Sequence, residues 1–384
     1  MVKRNRVALI YTYNENWIGG TYYIENLIAA LSKLPDRLQP HLLIFTMTAG
    51  DIKKLQLAVN YPYWSFRSFE RSLSLTERAL NKFTSKILHR SYISTLCNDV
   101  DIVFPLTTGL RHFFSRVKHH LFWISDFQEH YLPSFFTPEE ILLRKIDQKL
   151  ILQSAKSIVF SSYSAQNDFR SIYPENKLNQ YVLQFAVVNN QTLEHVSTYL
   201  SKYGITKPYF ICSNQFWKHK NHQAVLNALH ELKNIYPQSL VVFTGQETDY
   251  RNPTHFQEIL ALREVLGLQE HTKFLGFIPR KEQLILMKAA IAVIQPSLFE
   301  GWSTVIEDAK SMSVPLIASA ISVHKEQLED YEAKLFFSPE NPTELAACIA
   351  QMFNEKQQHS YNYSRSINKF AHDFISIINT INAK

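Results

Sequence analysis

The chain reads as an α/β protein made of two Rossmann-like, doubly wound domains facing each other across a cleft. Three observations predict this. Short unbroken apolar runs recur along the chain with helical stretches between them, the pattern of parallel strands covered on both faces. The series occurs twice, on either side of a polar stretch at 187–207. At 384 residues, 46% hydrophobic and 19% charged, the chain can bury two cores of ordinary size. Domains are expected at 1–187 and 188–359, followed by a tail at 360–384. Sheets of this kind bind ligands at the carboxyl ends of their strands, so a site between the two domains is expected.

The first series opens on Lys3, Arg4 and Arg6 and runs directly into an apolar strand at 7–13. That stretch is short and has no small-residue cleavage site, so it reads as a strand rather than a secretion signal, and the protein as cytoplasmic. Asn16-Trp17-Ile18-Gly19-Gly20-Thr21 then turns into a helix at 21–34. Strands follow at 41–46, 101–106, 120–125 and 156–162, with helices at 66–97 and 138–154. The second series has strands at 208–212, 239–245, 272–278, 291–297, 314–319 and 333–338. Its helices fall at 221–236, 255–267, 280–289, 303–312 and 343–354. In the tail, Ile367, Phe370, Phe374, Ile377 and Ile378 share one helical face. Such a stripe must bury against something.

Composition narrows the function classes. No apolar run reaches the ~18 residues of a membrane span. Cys97, Cys212 and Cys348 are odd in number and far apart, which gives neither a disulfide framework nor a metal-ligand spacing and suits a reducing compartment. The net charge of +6 is mild for this length. Part of the excess lies in a basic amphipathic segment, where Arg67, Arg71, Arg78, Lys82, Lys86 and Arg90 punctuate Leu73, Leu80, Phe83 and Ile87. It is either a solvated face over a core stripe or a surface that docks on anionic membrane or a lipid-linked acidic substrate. No basic cluster carries the aromatic platform of a nucleic-acid module, so nucleic acid is not an expected partner.

The segment from Pro296 to Lys310 says most about chemistry. Glu300 and Glu307 lie seven apart around the turn Gly301-Trp302-Ser303-Thr304, which follows a buried strand and opens a helix. A turn there offers backbone N–H groups and a positive helix end, suited to a phosphate. Carboxylates flanking it can each accept a pair of hydroxyl hydrogen bonds, as sugar diols offer. A nucleotide-sugar satisfies all three features. The structural alternative is a capping box, in which Glu307 merely ties down the helix start behind Thr304.

Three further stretches can carry chemistry or serve as plain loops. Gly19 and Gly20 let backbone approach a phosphate or sugar ring closely. Asn214, Gln215, Lys218, His219 and Lys220 precede Asn221, a candidate N-cap. A lysine there can neutralise a diphosphate leaving group. Asp126 and His130 follow a strand of the first domain and could orient an acceptor hydroxyl or the transferring sugar. Trp17, Trp64, Trp123 and Tyr131 could stack on sugar rings or simply pack.

Together these residues resemble the large retaining glycosyltransferase family 4, of the GT-B fold. The resemblance runs along nearly the whole chain, in order: the glycine turn, Ser161-Ser162, Lys220-Asn221, Phe243-Thr244-Gly245, Phe274-Leu275-Gly276, and Phe299-Glu300-Gly301 through Glu307. It implies transfer of a hexose from a nucleotide-diphosphate sugar to an acceptor hydroxyl on a glycan or lipid-linked saccharide, with retention of configuration and with neither metal nor cofactor. It implies that 1–187 is the acceptor side, that 188–359 binds the donor, and that 360–384 crosses back to the first domain. Glu300 then faces the hexose, Glu307 the ribose, and Lys220 the diphosphate, with Asp126 completing the catalytic set. Gly19, Gly20, Asn214, Gln215, Lys218, Gly276, Phe277, Gly301, Trp302, Ser303 and Thr304 become further donor contacts. Three positions depart from the family. Six residues rather than seven separate the glutamates; the arginine usual five before the lysine is Gln215, with Lys218 or His219 as substitute cations; and the usual His-Asp pair reads Ser125-Asp126. Rival readings are a nucleotide-sugar epimerase of the same architecture and a sugar-nucleotide-binding protein without turnover.

Overall fold

The computed structural model describes residues 4–14, 18–68, 75–88, 99–189, 194–355 and 359–383. Along the chain the first half forms β1 (Arg6–Tyr11), α1 (Ile18–Leu31), β2 (His41–Thr46), α2 (Ala49–Ala58), β3 (Trp64–Ser68), α3 (Leu75–Leu88), β4 (Ile102–Leu106) and β5 (His119–Ile124). A short α4 (Gln128–Tyr131), α5 (Pro138–Ser154), β6 (Ser157–Phe160), α6 (Tyr163–Ile172) and β7 (Asn179–Val182) complete it. The second half runs α7 (Val196–Lys202), β8 (Phe210–Ser213), α8 (His222–Leu232), β9 (Val241–Thr244), α9 (His255–Val265), β10 (Thr272–Phe274), α10 (Arg280–Ala289) and β11 (Val293–Gln295). It ends with α11 (Thr304–Ser311), β12 (Leu316–Ser319), α12 (Ser322–Gln327), β13 (Lys334–Phe337), α13 (Pro342–Asn354) and α14 (Ser364–Asn382).

The strands form two parallel sheets, in the orders β3-β2-β1-β4-β5-β6-β7 and β10-β9-β8-β11-β12-β13. Both are Rossmann-like, as the paired series of apolar runs predicts. Two compact units divide the chain: 1–126, 142–188 and 364–384 form one, while 127–141 and 189–363 form the other. The excursion of 127–141 into the second unit is not visible in the sequence pattern. In the first unit α14 lies on α1. Phe370 sets its ring 5.8 Å from Tyr23 and Phe374 sits 5.6 Å from Phe104, so the apolar tail stripe finds its partner there. In the second unit, one buried cluster around Phe216, Val225 and Phe243 and another around Ile211, Ile306 and Leu316 cover the two faces of the sheet.

Several expectations are corrected. The helix expected at 66–97 begins instead as strand β3, where Phe66 and Arg67 pair with Ile44 and Phe45 of β2. β-branched and aromatic neighbours across a sheet outweigh a helical charge rhythm there. Arg67 leaves the supposed basic face and meets Asp99 at 3.4 Å, beside Arg6 at 2.6 Å. Among the described residues, α3 is what remains of that helix. Arg71, Leu73 and Arg90 lie outside the described residues, as do Asn16, Trp17 and Cys97. On α3 the residues Leu80, Phe83 and Ile87 are exposed, not a core stripe. The polar linker contains α7, which packs on α10. Strand β7 and helices α2 and α6 are not among the elements expected from the sequence. Among the described residues no helix is long and apolar enough to cross a membrane.

Candidate functional site

In the second sheet the strand order reverses between β8 and β11, and a doubly wound sheet opens a crevice at that point. Two loops leave the carboxyl ends of those strands. The loop after β8 carries Lys220 and the loop after β11 carries Glu300. They are sewn together by Leu298 N–H donating to the His219 carbonyl (2.8 Å) and by the Asn221 amide donating to the carbonyls of Pro296 (3.1 Å) and Pro339 (2.8 Å). Asn221 therefore does not cap α8 with its side chain. Its amide is committed to the neighbouring loops.

The result is a close ion pair. Lys220 Nζ lies 2.5 Å from Glu300 Oε1, with the two side chains 16% and 10% exposed. The same oxygen accepts from Gln295 Nε2 at 2.9 Å and from Ser297 Oγ at 2.8 Å. No described group donates to Oε2. Three donors thus pin one lobe of the carboxylate and leave the other lone pairs for a ligand. Burial by itself would raise the Glu300 pKa, but the Lys220 ammonium and the Ser297 hydroxyl outweigh it and hold the carboxyl below its ordinary value. Behind the pair, Asn214 Nδ2 donates to Gln295 Oε1 at 3.0 Å, and Ser319 Oγ donates to the Ser297 carbonyl. His324 is fully buried next to this ladder, its pKa pushed down to about 4 by burial.

Gln295, Ser297 and His324 escaped sequence reasoning. The available signal was a glutamine closing an apolar strand, Val-Ile-Gln-Pro-Ser, at the end that faces ligands.

Glu307 is placed differently from the expectation. It is 1% exposed; its Oε1 accepts from Gln327 Nε2 (2.8 Å) and its Oε2 from the Tyr363 hydroxyl (2.5 Å). Burial raises its pKa. The capping-box alternative is not what the helix start shows. Ser303 is the N-cap of α11, its Oγ accepting from Ile306 N–H, and Thr304 is the first helical residue. Gln327 clamps the Ser303 backbone on both sides, at 3.1 and 2.7 Å. Gly301 is buried and Trp302 half-buried at the same turn.

The other candidates scatter. Asn214 is buried, its amide spent on Gln295 and the Cys212 sulfur, so it holds the ladder rather than facing outward. Gln215 is half-buried, and no described group bonds its amide. Lys218 is exposed and sits 5.4 Å from the Phe135 ring centroid, lining a cavity that neither Lys220 nor Glu300 lines. His219 is buried and its pKa is pushed well below normal, first by burial and then by Lys220 and Arg251. It is neutral and does not replace the missing arginine. Gly276, in the left-handed region (φ 62°), accepts from Gly245 N–H through its carbonyl, and Phe277 beside it is 69% exposed at the carboxyl end of β10. Gly245 is required sterically: φ is 147° and a Cβ would stand 2.0 Å from the Asn214 carbonyl oxygen.

Gly19 and Gly20 begin α1 at the reversal point of the first sheet, and a Cβ on Gly19 would meet open space. Asp126 accepts from Ser125 Oγ at 3.0 Å in the first unit. Trp123 donates to Ser161 Oγ and stacks on Tyr23, which is packing. Trp64 likewise packs on Phe66. Tyr131 stacks on Phe299, 5.6 Å between centroids, next to Glu300. His130 is exposed. Among the described residues no three His, Cys, Asp or Glu side chains are grouped to hold a metal ion.

Comparison with known proteins places this geometry in context. The chain is 23% identical to the O-antigen chain mannosyltransferase RfbU of Salmonella typhimurium over 250 residues, which is 64% of this chain and 64% of that protein. The fold matches the crystal structure of Anabaena HepE in complex with UDP and glucose, with a TM-score of 0.68 at 17% identity over 99% of this chain and 98% of that one. It also matches a glycosyltransferase from Rickettsia africae, with a TM-score of 0.64 at 15% identity over 99% and 97%. These are GT-B architectures. Residues 199–370, which include Lys220 and Glu300, match the family described as "Glycosyl transferases group 1".

Proposed function

We propose that this protein is a retaining, metal-independent glycosyltransferase that moves a hexose from a nucleotide-diphosphate sugar to a hydroxyl on a polysaccharide or lipid-linked saccharide. The observation that carries the reading is the Lys220–Glu300 pair at the sheet's reversal point, with Glu300 Oε2 left open. The mannosyltransferase relative and the UDP-bound HepE fold support a hexose and a nucleotide diphosphate. In this reading Lys220 meets the diphosphate as it departs, and its charge is worth more in the transition state than in the ground state. Glu300 Oε2 accepts from sugar hydroxyls and fixes the anomeric carbon for attack. The acceptor's proton passes to the leaving phosphate oxygen, and Asp126 orients the acceptor. Gly276, Phe277 and the turn Gly301 to Thr304 hold the nucleotide. A ribose contact by Glu307 requires Tyr363 to yield its place on Oε2. The exposed apolar and basic face of α3 is the proposed membrane contact, at the inner face of the membrane.

A thermal-shift panel of nucleotides and nucleotide-sugars, followed by product analysis with an acceptor saccharide, tests this. A selective shift and a glycosylated product with the donor's anomeric configuration are expected. Epimerised donor, or binding with no turnover across a broad acceptor panel, would replace it with one of the rival readings.

A further inference from the structure

Charge is divided unevenly along this chain. The first unit carries 25 Lys and Arg against 13 Asp and Glu, and the second 15 against 21, so a unit of net charge +12 is joined to one of −6. A strongly basic unit calls for an anionic partner. What lies among the charges says which. The buried side chains of α5 are Gln148 and Ile151. On its opposite side Leu142, Leu143, Ile146 and Leu150 are 57, 55, 44 and 43% exposed. With about 3.6 residues per turn these four share an arc of roughly 100°. Lys145 and Lys149, both exposed, border the arc on one side. Asp147 borders it on the other and accepts from Thr108 Oγ1 at 2.6 Å. The stripe starts after Glu139 and Glu140, of which Glu140 accepts from the Tyr250 hydroxyl at 2.9 Å. A contiguous exposed stripe of this kind marks an interaction surface.

The strand order β3-β2-β1-β4-β5-β6-β7 takes the β3–β4 and β5–β6 connections in the same direction across the first sheet. Right-handed crossovers therefore lay α3 and α5 over the same face, where the exposed apolar residues of α3 stand among Lys82 and Lys86. We propose that this face docks on an anionic phospholipid bilayer, with the α5 stripe in the acyl boundary and the lysines at headgroup level. The phosphate backbone of a nucleic acid offers nothing to four aliphatic side chains. A second copy of the chain would set +12 against +12. Anionic lipid answers both the charge and the stripe. The inference rests on the proposed function for the α3 contact alone; α5 is a contact of its own, and the transfer chemistry does not enter.

Co-sedimentation of the full chain with vesicles of phosphatidylcholine, with and without phosphatidylglycerol, tests it. Binding to the anionic vesicles about tenfold stronger than to the neutral ones is expected, weakening as salt rises. Leu142→Ser with Ile146→Ser, and separately Lys145→Glu with Lys149→Glu, should each weaken that binding about tenfold. All four side chains are exposed, so the variants should melt with the wild type. Phe83→Ser probes α3 in parallel. Equal binding to neutral vesicles, or none to either, overturns the inference. So does wild-type binding by both α5 variants; if Phe83→Ser alone releases the chain, the α3 contact stands and the α5 contact falls. Light scattering that finds a dimer in the wild type and monomers in the α5 variants would make the stripe a subunit interface and overturn it too. The thermal shift caused by UDP reports the donor reading separately, so either can fail without the other.

Discussion

Replacing Lys220 by methionine keeps the side chain's bulk and removes the charge that holds Glu300 ionised. Lys220 is 16% exposed and Glu300 10%, so water screens the pair little. Breaking one partner of a buried pair costs about 3–5 kcal/mol. Gln295 and Ser297 still donate to Oε1, which favours the lower end, about 3 kcal/mol. For a unit of this size that lowers its melting point by roughly 6–12 °C. The pH dependence carries the sharper test. In the wild type the Glu300 pKa is depressed below its unfolded value. Its contribution is therefore present above the unfolded glutamate range and lost as pH falls through the folded pKa. Without Lys220 the burial effect dominates, the folded pKa rises above the unfolded one, and the sign inverts: the variant loses stability as pH rises through that pKa. The stability gap between wild type and Lys220→Met should thus widen from about pH 4 to pH 7. Adding Glu300→Gln should recover most of the loss, because the neutral amide no longer needs a counter-charge. Urea unfolding at several pH values measures all three proteins. A Lys220→Met variant within about 1 kcal/mol of wild type, with a gap flat in pH, would mean the pair is screened and the site's electrostatics have been misread.

Other perturbations have equally definite outcomes. Gln295→Leu takes one of three donors from Glu300 Oε1 and leaves the Asn214 amide with the Cys212 sulfur alone; it should cost about 1–3 kcal/mol and lower kcat more than it raises the donor KM, and an unchanged kcat would remove Gln295 from any positioning role. Gly245→Ala forces a Cβ onto the Asn214 carbonyl at a positive φ, so a loss above about 3 kcal/mol in denaturant unfolding is expected. Tyr363→Phe takes one donor from the buried Glu307 carboxylate, whose pKa is already raised by burial. A raised folded pKa means stability lost as pH rises through it, and the variant raises it further. The cost should be about 1–3 kcal/mol near neutrality and smaller at acid pH, and equal losses at both would show that Glu307 does not ionise.

Local pattern made much of the fold readable. Apolar runs such as those expected at 41–46 and 208–212 need no neighbours to declare themselves buried strands, observed as β2 and β8, and α5 and α10 appear within the bounds their periodicity predicts. Glu300 and Lys220 were identifiable because each follows such a strand, at the end where ligands bind. Their meeting was not, since 80 residues separate them and the strand order that brings β8 beside β11 is a property of the sheet.

Sequence alone determined the two doubly wound sheets and which loops carry charge, because side-chain periodicity and chain connectivity are local quantities. Only the tertiary structure decided which atoms stay available. It pinned Glu300 Oε1 under three donors and left Oε2 open, enclosed Glu307 behind Gln327 and Tyr363, and turned Phe66 and Arg67 from helix to strand. Burial and hydrogen-bond partnership arise from residues far apart in the chain, and no window of sequence contains both members of those pairs.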